Sequence, residues 1–364
     1  MRHLAAAIIL AGLALPVVDS HGAGSDAPPP PRAMVVDPDG TAHFPALTVP
    51  FSIFASEEAR KAYVDRLSAP PWAFGPDQDI GVLRRKVTEI FTPYLDRATA
   101  LYPVTIEPTV IAGVNADVVT PRDGVSKQNQ NRVLVELHNG GFLNGAGIMA
   151  KLESVPIAAT GGFKVVAVDY RQGPEFKFPA ATEDVVKVYK ALLTTYRPRN
   201  IGIYGCSAGG FLTAETIALL EKEHLPLPGA IGIFCASAGG WSGGDSTYLA
   251  APFERGTPPA SSAHDSVTDV SYFSDVDMKD PAVSPVFSPE ILARFPPTLV
   301  ITGTRDTAMS AAIHTHAELV KQGVDADLHV WDGVGHGFFL DARFPESKEA
   351  YAVIVRFFDR HLGK

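Results

Sequence analysis

Six residues, Gly205-Cys206-Ser207-Ala208-Gly209-Gly210, constrain this chain more than any others. A short apolar run, Asn200-Ile201-Gly202-Ile203-Tyr204, precedes them, and a helical pattern from Phe211 to Glu223 follows. Strand, sharp turn and helix in that order need a turn so tight that side chains beside the serine would collide. The flanking glycines meet that need. The turn lifts the Ser207 hydroxyl to the top of a sheet, where a base can reach it.

The rest of the sequence supplies such a sheet. Between Ser56 and Leu101 apolar residues recur at helical spacing (Ala59, Tyr63, Leu67, then Val82, Val87, Ile90, Leu95), and Pro70-Pro71 separates two helices. From Val104 the pattern changes to strands over Val104–Ile111, Val114–Val119 and Val133–His138. Strands and helices then alternate. Strand Lys164–Tyr170 precedes helix Ala181–Thr195, and the elbow strand and its helix come next. Strand Ala230–Ala236 leads into a long irregular stretch. Strand Thr298–Thr302, helix Ala308–Gln322, strand Ala326–Trp331 and a helix over Pro345–Leu362 close the chain. Val- and Ile-rich runs alternating with amphipathic helices imply an α/β fold with a mostly parallel central sheet of about eight strands, covered on both faces. Reacting groups in such sheets gather at the carboxyl ends of the strands.

Composition narrows the partners. With 46% hydrophobic and 20% charged residues the chain is an ordinary globular one, and a net charge of −9 argues against nucleic acid or an anionic membrane as a main partner. The start of the chain has the pattern of a secretory signal: Arg2 and His3, an apolar Leu4–Leu15, then small residues Ser20, Gly22 and Gly24. The expectation is a signal over 1–24, export to the periplasm or medium, and no stable membrane insertion once the signal is removed, since the apolar stretch is too short to span. Residues 25–55, with Ala27 to Pro31 at their start, read as an extended linker, 56–101 as a helical unit and 102–364 as the main domain. The two cysteines, Cys206 and Cys235, fall near the ends of neighbouring expected strands. A disulfide between them and a pair of buried thiols both remain open.

A serine hydroxyl is a weak nucleophile and needs a general base. His336, in Asp332-Gly333-Val334-Gly335-His336-Gly337-Phe338, follows the last expected strand on a glycine-flanked loop. The other histidines have weaker context. His314 and His316 are two apart on a helix and face different ways, so a metal role is not expected, and His329 alternates within a strand. The imidazole needs a carboxylate to orient it. Asp306, just past the strand ending at Thr302, is that candidate; Asp332 is the rival, and the bland reading of Asp306 is a cap for the helix from Ala308. Attack on a carbonyl also creates an oxyanion. His138-Asn139-Gly140-Gly141-Phe142 follows the third expected strand, and the N–H groups of Gly140, Gly141 and Ala208 are its candidate donors. Ser237-Ala238-Gly239-Gly240 repeats the S-A-G-G string, but Cys235 stands where a glycine is needed and no helix begins after it.

These residues resemble the hormone-sensitive-lipase-like family of α/β-hydrolases, bacterial esterases with an H-G-G-G loop, over roughly Val133 to Leu362. The likeness extends to Asp169-Tyr170-Arg171, Pro174-Glu175-Phe176-Lys177-Phe178-Pro179-Ala180-Ala181, Gly244-Asp245-Ser246 and Asp280-Pro281-Ala282-Val283-Ser284-Pro285. It implies acyl transfer through an acyl-serine without a cofactor, a small-molecule ester substrate with a short acyl group, and a cap made from the N-terminal helices. It also implies homodimers through a C-terminal helix and edge strand. Two positions depart from the family pattern: Asn139 stands at a usual glycine, and Cys206 at a frequent aspartate before the nucleophile. Phe142 and Phe338, after catalytic loops, and Trp72 and Phe74, from the cap, are candidates for the acyl pocket. Lactones and acetylated polysaccharides are alternative substrates. A ligand-binding protein on a hydrolase scaffold is the reading from another class, disfavoured because Ser207, Asp306 and His336 are all present.

Overall fold

The computed structural model describes residues 34–45, 47–68, 79–239, 244–254 and 271–363. The expected signal, Trp72, Phe74 and Gly240 lie outside them. Residues up to Pro50 form a unit of their own. Within the expected linker that unit carries a small antiparallel ribbon, Val35–Val36 with Ala42–His43. It turns at Asp37-Pro38-Asp39-Gly40, with Gly40 at φ +90°.

The unit from Phe51 onward contains the sheet. Its strands are β1 (Val104–Ile111), β2 (Val114–Pro121), β3 (Val133–Leu137), β4 (Val165–Val168), β5 (Ile201–Cys206), β6 (Ala230–Phe234), β7 (Thr298–Arg305) and β8 (Ala326–Gly335). They lie in the order β8-β7-β6-β5-β3-β4-β2-β1. Only β2 runs antiparallel to its neighbours β1 and β4; every other pairing is parallel. The 8-stranded, mostly parallel sheet is the expected one. β3, β4, β5 and β6 are buried along their whole length, as strands covered on both faces must be.

Helices cover the two faces: α1 (Glu57–Ser68), α2 (Ile80–Leu101), α3 (Ile148–Gly161), α4 (Ala180–Leu192), α5 (Ala208–Lys222), α6 (Met309–Lys321) and α7 (Pro345–His361). One apolar cluster joins β3 and β5 to α4 and α5, with Val135, Ile203, Val185 and Leu212 among its members. The other joins the opposite face to α3 and α7, with Leu134, Tyr204, Leu152 and Phe358. No described helix is long and apolar enough to cross a membrane.

Two differences from the sequence reading matter. Helix α3 was not distinguished there, because Gly145, Gly147 and Pro156 interrupt its signal. Strands β7 and β8 run three to four residues further than the pattern indicates, to Arg305 and Gly335. Past a register shift between Trp331 and Gly335, Gly335 pairs with Arg305. The extension depends on Gly303, where a Cβ would stand 2.3 Å from the Val334 carbonyl oxygen. It sets the next residues of the two strands, Asp306 and His336, side by side.

Candidate active site

Ser207 directly follows β5 and immediately precedes α5. Its backbone sits at φ 56°, ψ −118°, a region that non-glycine residues seldom occupy and that costs about 1–3 kcal/mol. The surroundings enforce it. The Ser207 N–H donates to the Phe234 carbonyl at 2.8 Å and its own carbonyl receives the Phe211 N–H at 3.0 Å. A Cβ on Gly209 would fall 1.6 Å from the Leu137 carbonyl oxygen, and one on Gly205 2.2 Å from the same atom. Only glycines let the elbow press this closely on the end of β3. The serine is half-buried, and its hydroxyl has no hydrogen-bond partner among the described residues.

His336 Nδ1 meets Asp306 Oδ1 at 2.9 Å. Asp306 is fully buried; Thr302 Oγ1 donates to its Oδ2 and the Ala308 N–H to its Oδ1, each at 2.9 Å. Asp306 thus pairs with the His336 ring and also accepts the N–H of Ala308, the residue just before α6, whose N-terminus has no side-chain cap. Burial works against its charge, but the His336 ring and these donors outweigh burial and hold the carboxyl below its ordinary range. Burial likewise disfavours the imidazolium, and Asp306 overcomes it, pushing His336 up from 6.5 to about 10. Glu254, which accepts the His336 N–H at 3.0 Å, acts in the same direction. The His336 side chain keeps 34% of its surface exposed, so water screens part of this attraction. Gly337 brings the histidine loop to the elbow. Its N–H donates to Cys235 Sγ at 3.3 Å, and a Cβ there would lie 3.9 Å from Cys206 Sγ.

The candidate oxyanion loop is built from glycines in the left-handed region, Gly140 at φ 124° and Gly141 at φ 62°. A Cβ on Gly140 would overlap the Asn144 carbonyl at 2.0 Å, whereas one on Gly141 would enter open space. The N–H groups of Gly140 and Gly141 have no acceptor among the described residues. Ala208 is the first residue of α5, where helix geometry leaves the N–H without an intrahelical acceptor. His138 braces the loop from beneath. It stacks on Tyr170 at 4.1 Å, its Nδ1 contacts the Asn139 carbonyl at 2.7 Å, and burial lowers its pKa to about 4, which keeps the ring neutral. The Tyr170 hydroxyl donates to the His138 carbonyl at 2.7 Å.

The segments that carried the resemblance act as supports. Asp169 Oδ1 accepts the Gly147 N–H at 2.6 Å, Arg171 binds Asp184 at 2.7 Å, and Glu175 pairs with Arg84 of α2 at 2.6 Å. Ser246 and Ser310 exchange hydrogen bonds at 3.0 and 2.8 Å, which fixes the loop behind Asp306.

A cavity of about 240 Å³ opens beside His336. Tyr63 and Arg66 of α1, Phe91 and Tyr94 of α2, Glu254 and Phe338 contribute to its wall. Ser207 does not line it, so the cavity abuts the histidine flank of the site. Phe338 lines this cavity. Phe142 does not: it is fully buried, stacked on Tyr272 at 4.8 Å and edge-on to Phe211 and Phe273. Its bulk serves the core under the loop and presents no surface to a substrate.

The remaining candidates separate cleanly. Asp332 is exposed and accepts hydroxyl hydrogen bonds from Ser52 and Thr304, away from His336. His316 contacts the Ala326 carbonyl, and His329 stacks on Trp331. Cys206 and Cys235 are free, buried thiols. Cys235, Asp306 and His336 bring ligand-type atoms within 4.8 Å of one another, but both Asp306 oxygens and His336 Nδ1 are already engaged in hydrogen bonds. One participant escaped the sequence reading altogether. Glu153 of α3 is buried, and its Oε1 accepts both N–H groups of Asn139, at 2.7 Å from Nδ2 and 3.1 Å from the backbone. Nothing local marks a glutamate in an apolar helix for that place.

A family model described as the alpha/beta hydrolase fold matches residues 134–340. An esterase of Acinetobacter venetianus is 25% identical over 280 residues, covering 73% of this chain and 86% of that protein. The crystal structure of an esterase named E25 superposes with a TM-score of 0.72 at 30% identity, covering 87% of this chain and 99% of that one. An esterase from the bacterial hormone-sensitive lipase family superposes with a TM-score of 0.70 at 27% identity, covering 85% and 99%.

Proposed function

From the premise that this chain belongs to the α/β-hydrolase-fold family, we propose how it works: it is a carboxylic-ester hydrolase whose acyl transfer passes through Ser207. The observation that carries the assignment of Ser207 is its strained elbow, whose Cys206 lies beside Gly337, the residue after a histidine paired with a buried carboxylate. His336 Nε2 takes the hydroxyl proton as Ser207 Oγ attacks the ester carbon, and Asp306 stabilises the resulting imidazolium. The N–H groups of Gly140, Gly141 and Ala208 receive the oxyanion. Each such donor contributes roughly a hundred- to a thousandfold in rate. His336 then returns the proton to the leaving alcohol, and water repeats the sequence on the acyl-serine.

The substrate is a small ester with a short acyl group. A cavity of about 240 Å³ walled by Tyr63, Phe91, Tyr94 and Phe338 supports a compact, apolar substrate. It also supports reading α1 and α2 as a cap over the site. The apolar Leu4–Leu15 stretch supports export. The test is the rate on p-nitrophenyl esters from acetate to palmitate. A maximum at short chains is expected. Faster turnover of the long chains would overturn the short-acyl reading while leaving the hydrolase in place.

A further inference from the structure

One of the two positions where this chain departs from its family's pattern, Asn139, is held by a buried carboxyl group. Asn139 donates twice to Glu153 Oε1, and the backbone N–H of Cys206 also favours the ionised form of Glu153. Asn139 directly precedes the donor Gly140, and Cys206 directly precedes Ser207. A single side chain from α3, outside the loop, therefore holds both N–H groups of the residue that precedes the Gly140 donor. Glu153 is only 3% exposed, and burying a carboxyl in an apolar helix is costly unless specific partners compensate. Glu136, on β3 and fully buried, faces it. Glu153 Oε2 and both Glu136 carboxyl oxygens lack a hydrogen-bond partner among the described residues.

We propose that Glu153 is a positioning residue for acyl transfer: through its two hydrogen bonds to Asn139 it holds the oxyanion loop, and with it the Gly140 N–H, in its working place. The inference rests on the serine-hydrolase reading. It accounts for the departure at 139, because a glycine there would lack the side-chain amide that donates to Glu153. The groups facing the acid pair are Asp169 and Tyr170 beyond β4, Tyr204 and Cys206 on β5, and His336 beyond β8. Burial pushes Glu153 up to about 8, against the Asn139 and Cys206 donors and the His336 charge that oppose it. Glu153 is thus largely protonated at neutral pH and gains its charge on the alkaline side.

The experiment compares the parent, Ser207→Ala, Glu153→Ala, Glu153→Gln, Asn139→Ala and the Glu153→Ala/Asn139→Ala double variant on p-nitrophenyl butyrate, with circular dichroism and thermal melting as folding controls. Glu153→Ala is expected to lower kcat by about tenfold to a hundredfold, less than outright removal of a donor, with KM within about threefold. The double variant should lose no more than Glu153→Ala alone, because both act through one contact. Glu153→Gln keeps an acceptor for Asn139; it should recover most of kcat and lack the parent's decline in rate on the alkaline side. A folded Glu153→Ala with parental kcat, or additive losses in the double variant, overturns the proposal. If Glu153→Ala does not fold, Asn139→Ala decides instead, and parental kcat there overturns it equally. A parent that hydrolyses no ester, or an active Ser207→Ala, strikes the hydrolase reading itself and is told apart by that control.

Discussion

The string Ser-Ala-Gly-Gly occurs twice, after β5 at Ser207 and after β6 at Ser237, and the two copies do different things. Ser207 is half-buried at a strained turn, with α5 starting at the next residue. Ser237 is fully buried, and its hydroxyl closes a local loop by donating to the Gly239 carbonyl at 2.8 Å and accepting the Gly239 N–H at 3.3 Å. The neighbours make the difference. Gly205 and Gly209 let the first copy lean on the Leu137 carbonyl, whereas the second has Cys235 two residues before its serine, itself at φ 47°. Gly239 is used for another purpose: a Cβ there would stand 2.4 Å from the Ser284 side chain. A nucleophile is thus specified by the backbone space around the string, not by the string.

The largest separation of the two copies should come from removing each hydroxyl. Ser207→Ala is expected to lower kcat by a factor on the order of 10⁶, with the melting temperature preserved. Asp306→Asn should follow, with a loss of about 10⁴-fold, because the amide no longer fixes the working tautomer of His336. Its pH profile carries a second signature. Asp306 raises the His336 pKa from 6.5 towards about 10, so the base form accumulates only as pH rises, and the acid limb of kcat/KM should lie above 6.5 in the parent. Asp306→Asn should move that limb downward while lowering the plateau. For stability the sign is opposite: the charged pair contributes fully below pH 6.5 and loses its contribution as pH rises through about 10.

Backbone space is tested next. Gly209→Ala drives a methyl group into the Leu137 carbonyl and should cost about 3 kcal/mol, with kcat falling as the elbow shifts; chemical denaturation and steady-state rates measure both. The smallest effect belongs to the other copy. Ser237→Ala should leave kcat within about twofold and cost about 1 kcal/mol for its buried hydrogen bond. A large fall in kcat from Ser237→Ala would erase the distinction drawn between the two strings.

Much of this was legible in the sequence because the elements carrying the site are local patterns. The elbow strand, the glycine pair at 140 and 141, and the Asp306 and His336 loops each follow a recognisable apolar run. What escaped depends on distant packing. The extra pairing of Gly335 with Arg305 looks like loop in sequence, since glycines 303, 333 and 335 interrupt the strand signal. Phe142 follows a catalytic loop in sequence yet turns into the aromatic core, because its φ of 59° redirects the chain. Glu153 reads as a surface residue by type, and only tertiary packing brings it under Asn139.

The most direct test of the central claim is covalent. A fluorophosphonate, which phosphonylates an activated serine with loss of fluoride, should add once to the parent protein, and peptide mass mapping should place the adduct on Ser207. Ser207→Ala should take no label and hydrolyse no p-nitrophenyl butyrate. An adduct on Ser237 or elsewhere, or a Ser207→Ala protein that still turns over ester, would contradict the account.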